Sequence, residues 1–150
     1  EHHGRKETVR RVFFEHGLEL VGFAVEPRRA PAGDTVELRT YWRPSRPLPD
    51  DLAFFAQIVG EDTTRYAAAD TPPQPTAAWA TGEVVELSFT LAIEPATPLD
   101  AYPLIVGVYT RTAPMSSSDD GGFDRLQQVM PDGRLTDDFL ILTLVKVDMP

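Results

Sequence analysis

Asp100-Ala-Tyr-Pro-Leu-Ile-Val-Gly-Val-Tyr-Thr-Arg111 is the stretch that decides the architecture of this chain. At period two its side chains divide into Tyr102, Leu104, Val106 and Val108 on one face and Pro103, Ile105, Gly107 and Tyr109 on the other, and neither face is polar. Such a stretch is a central strand. With both faces apolar, both need cover: a second sheet beneath, and loops, a neighbouring module or a ligand above.

Outward from this strand, apolar alternation recurs at 18–25, 34–43, 52–59, 66–69 and 83–93 before it, and at 125–130 and 138–147 after it. Within 34–43, Val36, Leu38, Thr40 and Trp42 oppose Glu37, Arg39, Tyr41 and Arg43, the pattern of an antiparallel strand with one face in solvent. The 52–59 segment is apolar on both faces except for Gln57 and reads as another inner strand. In 18–25, Leu18, Leu20, Gly22 and Ala24 alternate with Glu19, Val21, Phe23 and Val25. In 138–147, Phe139, Ile141, Thr143, Val145 and Val147 alternate with Leu140, Leu142, Leu144 and Lys146. Val85, Leu87, Phe89 and Leu91 are expected to face inward.

No 3.6-residue pattern persists for three turns. Residues 1–12 are polar and charged and read as a flexible linker, leaving 13–150 as one domain. About seven or eight strands joined by Pro and Gly turns imply an all-β fold, an antiparallel two-sheet β-sandwich of immunoglobulin or fibronectin-III type. Tyr102, at the head of a late strand, stands where a tyrosine corner would lie.

Composition narrows the function. The 150 residues include no cysteine, so no disulfide staples the fold, and a domain of this size buries a sufficient core without one. A net charge of −9 argues against nucleic acid, which needs clustered Lys and Arg, and against attraction to anionic membranes. No run approaches the roughly 20 apolar residues that cross a bilayer. The chain begins at Glu1 rather than Met, as a processed chain or a piece of a longer protein would.

Pro31-Ala-Gly-Asp-Thr-Val-Glu-Leu-Arg-Thr-Tyr-Trp42, Phe54-Phe-Ala-Gln-Ile58, Asp70-Thr-Pro72, Pro75-Thr-Ala-Ala-Trp79 with Gly82-Glu83, and Tyr102-Pro-Leu-Ile-Val-Gly-Val-Tyr109 follow one another in a recognisable order and spacing. The chain resembles the β-sandwich modules of unknown function appended to bacterial, Chloroflexus-like, multi-spanning mannosyltransferase-like membrane proteins and other exported proteins. The resemblance spans roughly residues 13–147. It implies a β-sandwich, an extracytoplasmic or cell-surface location and, as partner, the rest of a membrane-bound glycosyltransferase-like protein. Two positions depart from the pattern: Ala101 stands where glycine is usual, and Gln57 where histidine often sits.

Catalysis finds little support. A nucleophilic mechanism wants Ser or Cys with His and an orienting acid. The only histidine beyond His2 and His3 is His16. Asp50-Asp51, Asp119-Asp120 and Asp137-Asp138 are candidate carboxylate pairs for glycoside hydrolysis, but each adjoins a turn, where Asp bonds its own backbone. The 116–124 loop is oxygen-rich enough to suggest calcium, yet its spacing is not that of an EF-hand. No catalytic residue, metal site or cofactor is therefore assigned.

For recognition, the 70–82 stretch is a long irregular loop carrying three prolines and Trp79. Trp79 either docks a ligand there or plugs one end of the sandwich. Gln74 and Thr76 are its polar neighbours, and Tyr66 and Tyr41 are secondary aromatic candidates. The expectation is a non-catalytic, extracytoplasmic binding or accessory module of a larger cell-surface protein, with either carbohydrate or the rest of that membrane-bound protein as its partner. The rivals are a structural spacer without a small-molecule ligand and a calcium-dependent or hydrolytic domain.

Overall fold

The computed structural model describes residues 8–111 and 123–149. They form eleven strand segments in chain order: β1 (Thr8–Phe14), β2 (Leu18–Glu26), β3 (Arg29–Pro31), β4 (Thr35–Pro44), β5 (Ala53–Val59), β6 (Arg65–Asp70), β7 (Val85–Ala92), β8 (Asp100–Arg111), β9 (Phe123–Arg125), β10 (Gln128–Val129) and β11 (Leu140–Asp148). Two sheets result. The first runs β10-β1-β2-β4-β7; the second runs β3-β11-β8-β5-β6, with β9 also pairing β8. Every ladder is antiparallel except β3 against β11. This is an immunoglobulin-like sandwich with more segments than the seven or eight expected, because short strands border the long ones.

The expected central strand is central: β8 is flanked by β5 and β11. Its Tyr102, Leu104, Val106 and Val108 enter the core beside Phe54, Ala56 and Ile58 of β5. From the other sheet come Val36, Leu38 and Trp42 of β4, with Thr40, all fully buried as their alternation predicts. Trp42 is the centre of the packing, its ring 5.8 Å from Phe14 and 4.9 Å from Phe54. Its indole N–H donates to Thr40 Oγ1 at 2.7 Å, so the polar end of the largest core side chain is satisfied.

Tyr102 makes the expected corner. Its hydroxyl donates to the Pro98 carbonyl at 2.7 Å, just upstream of β8, in which Tyr102 is the third residue.

Three sequence expectations are corrected by β-bulges, each of which adds a residue and reverses which side chains face inward. In β1 the register shifts between Val9 and Val12, hiding the alternation. Residues 8–12, expected as linker, are therefore strand, and they pair with β2. In β2 the shift falls between Leu20 and Gly22, so Leu18 and Leu20 are followed inward by Phe23 and Val25. In β11 it falls between Ile141 and Thr143, so Leu140 and Leu142 are followed inward by Val145 and Val147. The single strand expected at 125–130 is also split: β9 joins the second sheet and β10 the first.

Candidate ligand-binding face

The residues singled out from the sequence do not converge. Trp79 follows a short 3-10 turn (Thr76–Ala78) and is half-buried, its ring stacked on Phe54 with centroids 5.7 Å apart and planes 17° from parallel. Thr76 is fully buried; its hydroxyl donates to the Pro49 carbonyl at 2.6 Å and accepts from the Leu52 N–H at 3.2 Å. Gln74 donates from its amide to the Pro72 carbonyl at 2.9 Å, and its backbone bridges to Leu52. These bonds lash the 70–82 loop to the segment before β5.

Tyr66 lies at the far end of the β5–β6 hairpin, its ring 4.7 Å from that of Tyr102. Tyr41 projects from the outer face of the first sheet, where its hydroxyl accepts from Arg39 Nε at 3.4 Å. Most of the 116–124 loop lies outside the described residues. Among the described residues no cluster of three His, Asp or Glu side chains has the geometry of a metal site.

What the structure does bring together lies on the outer face of the second sheet. Phe55 and Gln57 point outward from β5, Ile105, Gly107 and Tyr109 from β8, Arg65 and Asp70 from β6, and Arg125 from β9. Gly107 is the reason the face is hollow: a Cβ there would sit 2.3 Å from Phe55 Cζ, so the Phe55 ring lies flat on bare backbone. The Arg125 guanidinium covers that ring from above, 4.5 Å from its centroid. Tyr109 stands beside it, 6.3 Å between centroids.

Two adjoining open clefts, of about 420 and 370 Å³, are thereby formed, and Gln57, Arg65 and Arg125 belong to both. Gln57 is only 8% exposed. Among the described residues its amide has no hydrogen-bond partner, and its polar atoms still reach the cleft. The amide's two donors and one acceptor therefore open onto the cleft and are available to a ligand placed there.

A wider cleft of about 670 Å³ lies at the edge of the first sheet between β1, β10 and Ser45–Arg46. Several of its polar groups are engaged: Arg11 bonds Glu19 at 2.8 Å, Ser45 Oγ donates to the Gly17 carbonyl at 2.8 Å, and Gln128 Nε2 donates to the Phe139 carbonyl at 2.6 Å.

The strand order, the tyrosine corner and the hollow outer face define an immunoglobulin-like β-sandwich module with a cleft across one sheet. No protein-family model matches the chain, and no curated protein matches it in sequence. Among solved structures it is similar to the crystal structure of the C-terminal domain of wzt. That match covers 99% of this chain and 81% of the other, with a TM-score of 0.60 and 9% identity. At that identity the fold is what the two share.

The sequence contained one signal for this face. A central strand apolar on both sides needs cover above as well as below, and the upper side of β8 is the floor of the cleft. The aromatic residues drew attention elsewhere because Phe55 and Gln57 look like ordinary strand residues. Arg65 and Arg125 are neighbours only after β6 and β9 have joined the sheet.

Proposed function

We propose that this chain is a non-catalytic, extracytoplasmic accessory module that binds carbohydrate in the outer-face cleft of its second sheet. The observation that carries the reading is the uncommitted Gln57 amide on the cleft floor, ringed by groups suited to a sugar. The amide and the Asp70 carboxylate offer hydrogen bonds to vicinal hydroxyls, the guanidinium groups of Arg65 and Arg125 offer planar donors, and Tyr109 offers an apolar ring face. The chemistry is that of recognition. Ser45 shares a cleft with His16, but its hydroxyl proton is given to the Gly17 carbonyl rather than to a base.

Titration calorimetry against a panel of oligosaccharides tests the proposal. Binding is expected, and Gln57→Ala and Tyr109→Ala each weaken it about tenfold, the loss of one good hydrogen bond or ring contact. Trp79→Phe should leave affinity unchanged, since Trp79 packs on the core. A panel in which no saccharide binds, or binding lost through Trp79 and kept without Gln57, ends the proposal. The extracytoplasmic placement is checked separately: in cells producing the native protein, externally added protease should degrade the module while the cytoplasm stays intact.

A further inference from the structure

The two lobes of the outer-face cleft differ in charge. The lobe toward Pro103 and Ile141 contains Arg65, Arg125 and Gln57 but no carboxylate, whereas the other lobe adds Asp70 and Tyr109. On a chain of net charge −9, a hollow with two guanidinium groups and no acid runs against the surface as a whole. Arg11 and Arg43 are committed to Glu19 by short contacts of 2.8 and 2.9 Å, whereas Arg29 to Asp148 and Arg39 to Glu86 are long contacts of 3.7 and 3.8 Å on other faces. Arg65 is exposed and its side chain has no partner among the described residues. Arg125 rests on Phe55, which fixes its plane, and its contact with Asp138 is long, at 3.7 Å, so it keeps donors for a closer anion. Beneath both lies the Gln57 amide.

Building on the carbohydrate reading, we propose that the sugar taken by this face is anionic. Its carboxylate or phosphate ester is held by Arg65 and Arg125 in the acid-free lobe, with Gln57 donating from the floor. The sugar hydroxyls then extend toward Asp70 and Tyr109. Guanidinium forks match either anion with paired hydrogen bonds, and a partly enclosed cleft strengthens the attraction relative to open water.

Two matched pairs of ligands test this on the full chain by calorimetry: an oligogalacturonate beside its carboxyl-reduced form, and a phosphorylated oligosaccharide beside its dephosphorylated form. In at least one pair the charged member should bind about tenfold tighter or more. The pair showing the preference identifies the anion. That preference should disappear in Arg65→Gln and in Arg125→Gln, each with an unchanged circular dichroism spectrum, and should shrink steeply as salt rises toward about 0.5 M. Arg46→Gln, in the other cleft, should keep it. Neutral members binding as well as charged ones overturn the anion inference and leave the carbohydrate proposal standing. A charged preference that survives both cleft arginine substitutions overturns it as well. Absence of binding by every saccharide, charged or neutral, overturns both.

Discussion

Tyr102 joins packing to hydrogen bonding at one residue. Its ring meets Tyr66 inside the sandwich edge while its hydroxyl holds the Pro98 carbonyl. Tyr102→Phe keeps the ring and strands that carbonyl, and should lower stability by about 1–2 kcal/mol, read as a reduced urea midpoint with unchanged slope. Burial chiefly, then the neighbouring Tyr66 and Asp100, raises the phenol above its usual value of 10.0. The folded state thus favours the neutral form. This contribution is fully present below pH 10 and is lost as pH rises through the raised folded value, so Tyr102→Phe should also soften the alkaline loss of stability.

Glu19 has the opposite sign. Burial pushes its carboxyl up, but hydrogen bonds from Arg11 at 2.8 Å and Arg43 at 2.9 Å outweigh that and hold it below the usual 4.5. Its contribution is present above pH 4.5 and is lost as pH falls through the depressed folded value. Glu19→Gln should cost about 1.5–3 kcal/mol at neutral pH and flatten the acid limb of a stability profile. A profile parallel to that of the parent would show that the two arginines do not depress Glu19.

At the scale of elements, the 70–82 loop behaves as a tied plug. Thr76 is its fastening, because one buried hydroxyl serves both the Pro49 carbonyl and the Leu52 N–H. Thr76→Val preserves the shape and leaves both groups unpaired, at an expected cost of about 1–3 kcal/mol in urea unfolding. Equal midpoints for this variant and the parent would contradict the tie. The sequence did not reveal it, since Thr76 among prolines looks like a surface loop residue and its partners lie more than twenty positions away. Strand existence was legible for the opposite reason: β4 and β8 alternate without interruption, so period two reports their faces directly. Where a bulge intervenes, as in β1, β2 and β11, the sequence still names a strand or hides it, but the facing reverses partway. That reversal depends on which partner the strand meets, and local pattern does not encode the partner.

Across the whole molecule, the β1 correction alters where the sandwich ends. Phe14, the last residue of β1, is fully buried and packs against Trp42, so the first strand supplies part of the central aromatic cluster as well as a sheet edge. Beyond it, Glu15 N–H donates to the Gln127 carbonyl at 3.0 Å, and Glu15 Oε1 accepts from the Gln127 N–H at 2.9 Å, joining the start of the fold to the segment between β9 and β10. Removing residues 1–14 would therefore take away the Phe14 side chain, the pairing with β2 and the support of β10 together. Losing a buried Phe side chain alone costs about 3–5 kcal/mol, a large share of the roughly 5–15 kcal/mol that holds a domain folded. The shortened chain should show a weakened near-ultraviolet spectrum and a broad or absent urea transition. Phe14→Ala in the full chain separates the packing loss from the strand loss: it should remain folded with a lower midpoint. Removing only residues 1–7 supplies the control, and should leave the transition within about 0.5 kcal/mol of the parent. If the chain lacking residues 1–14 unfolds with the parent's midpoint and slope, β1 is dispensable and the linker reading of its residues is restored.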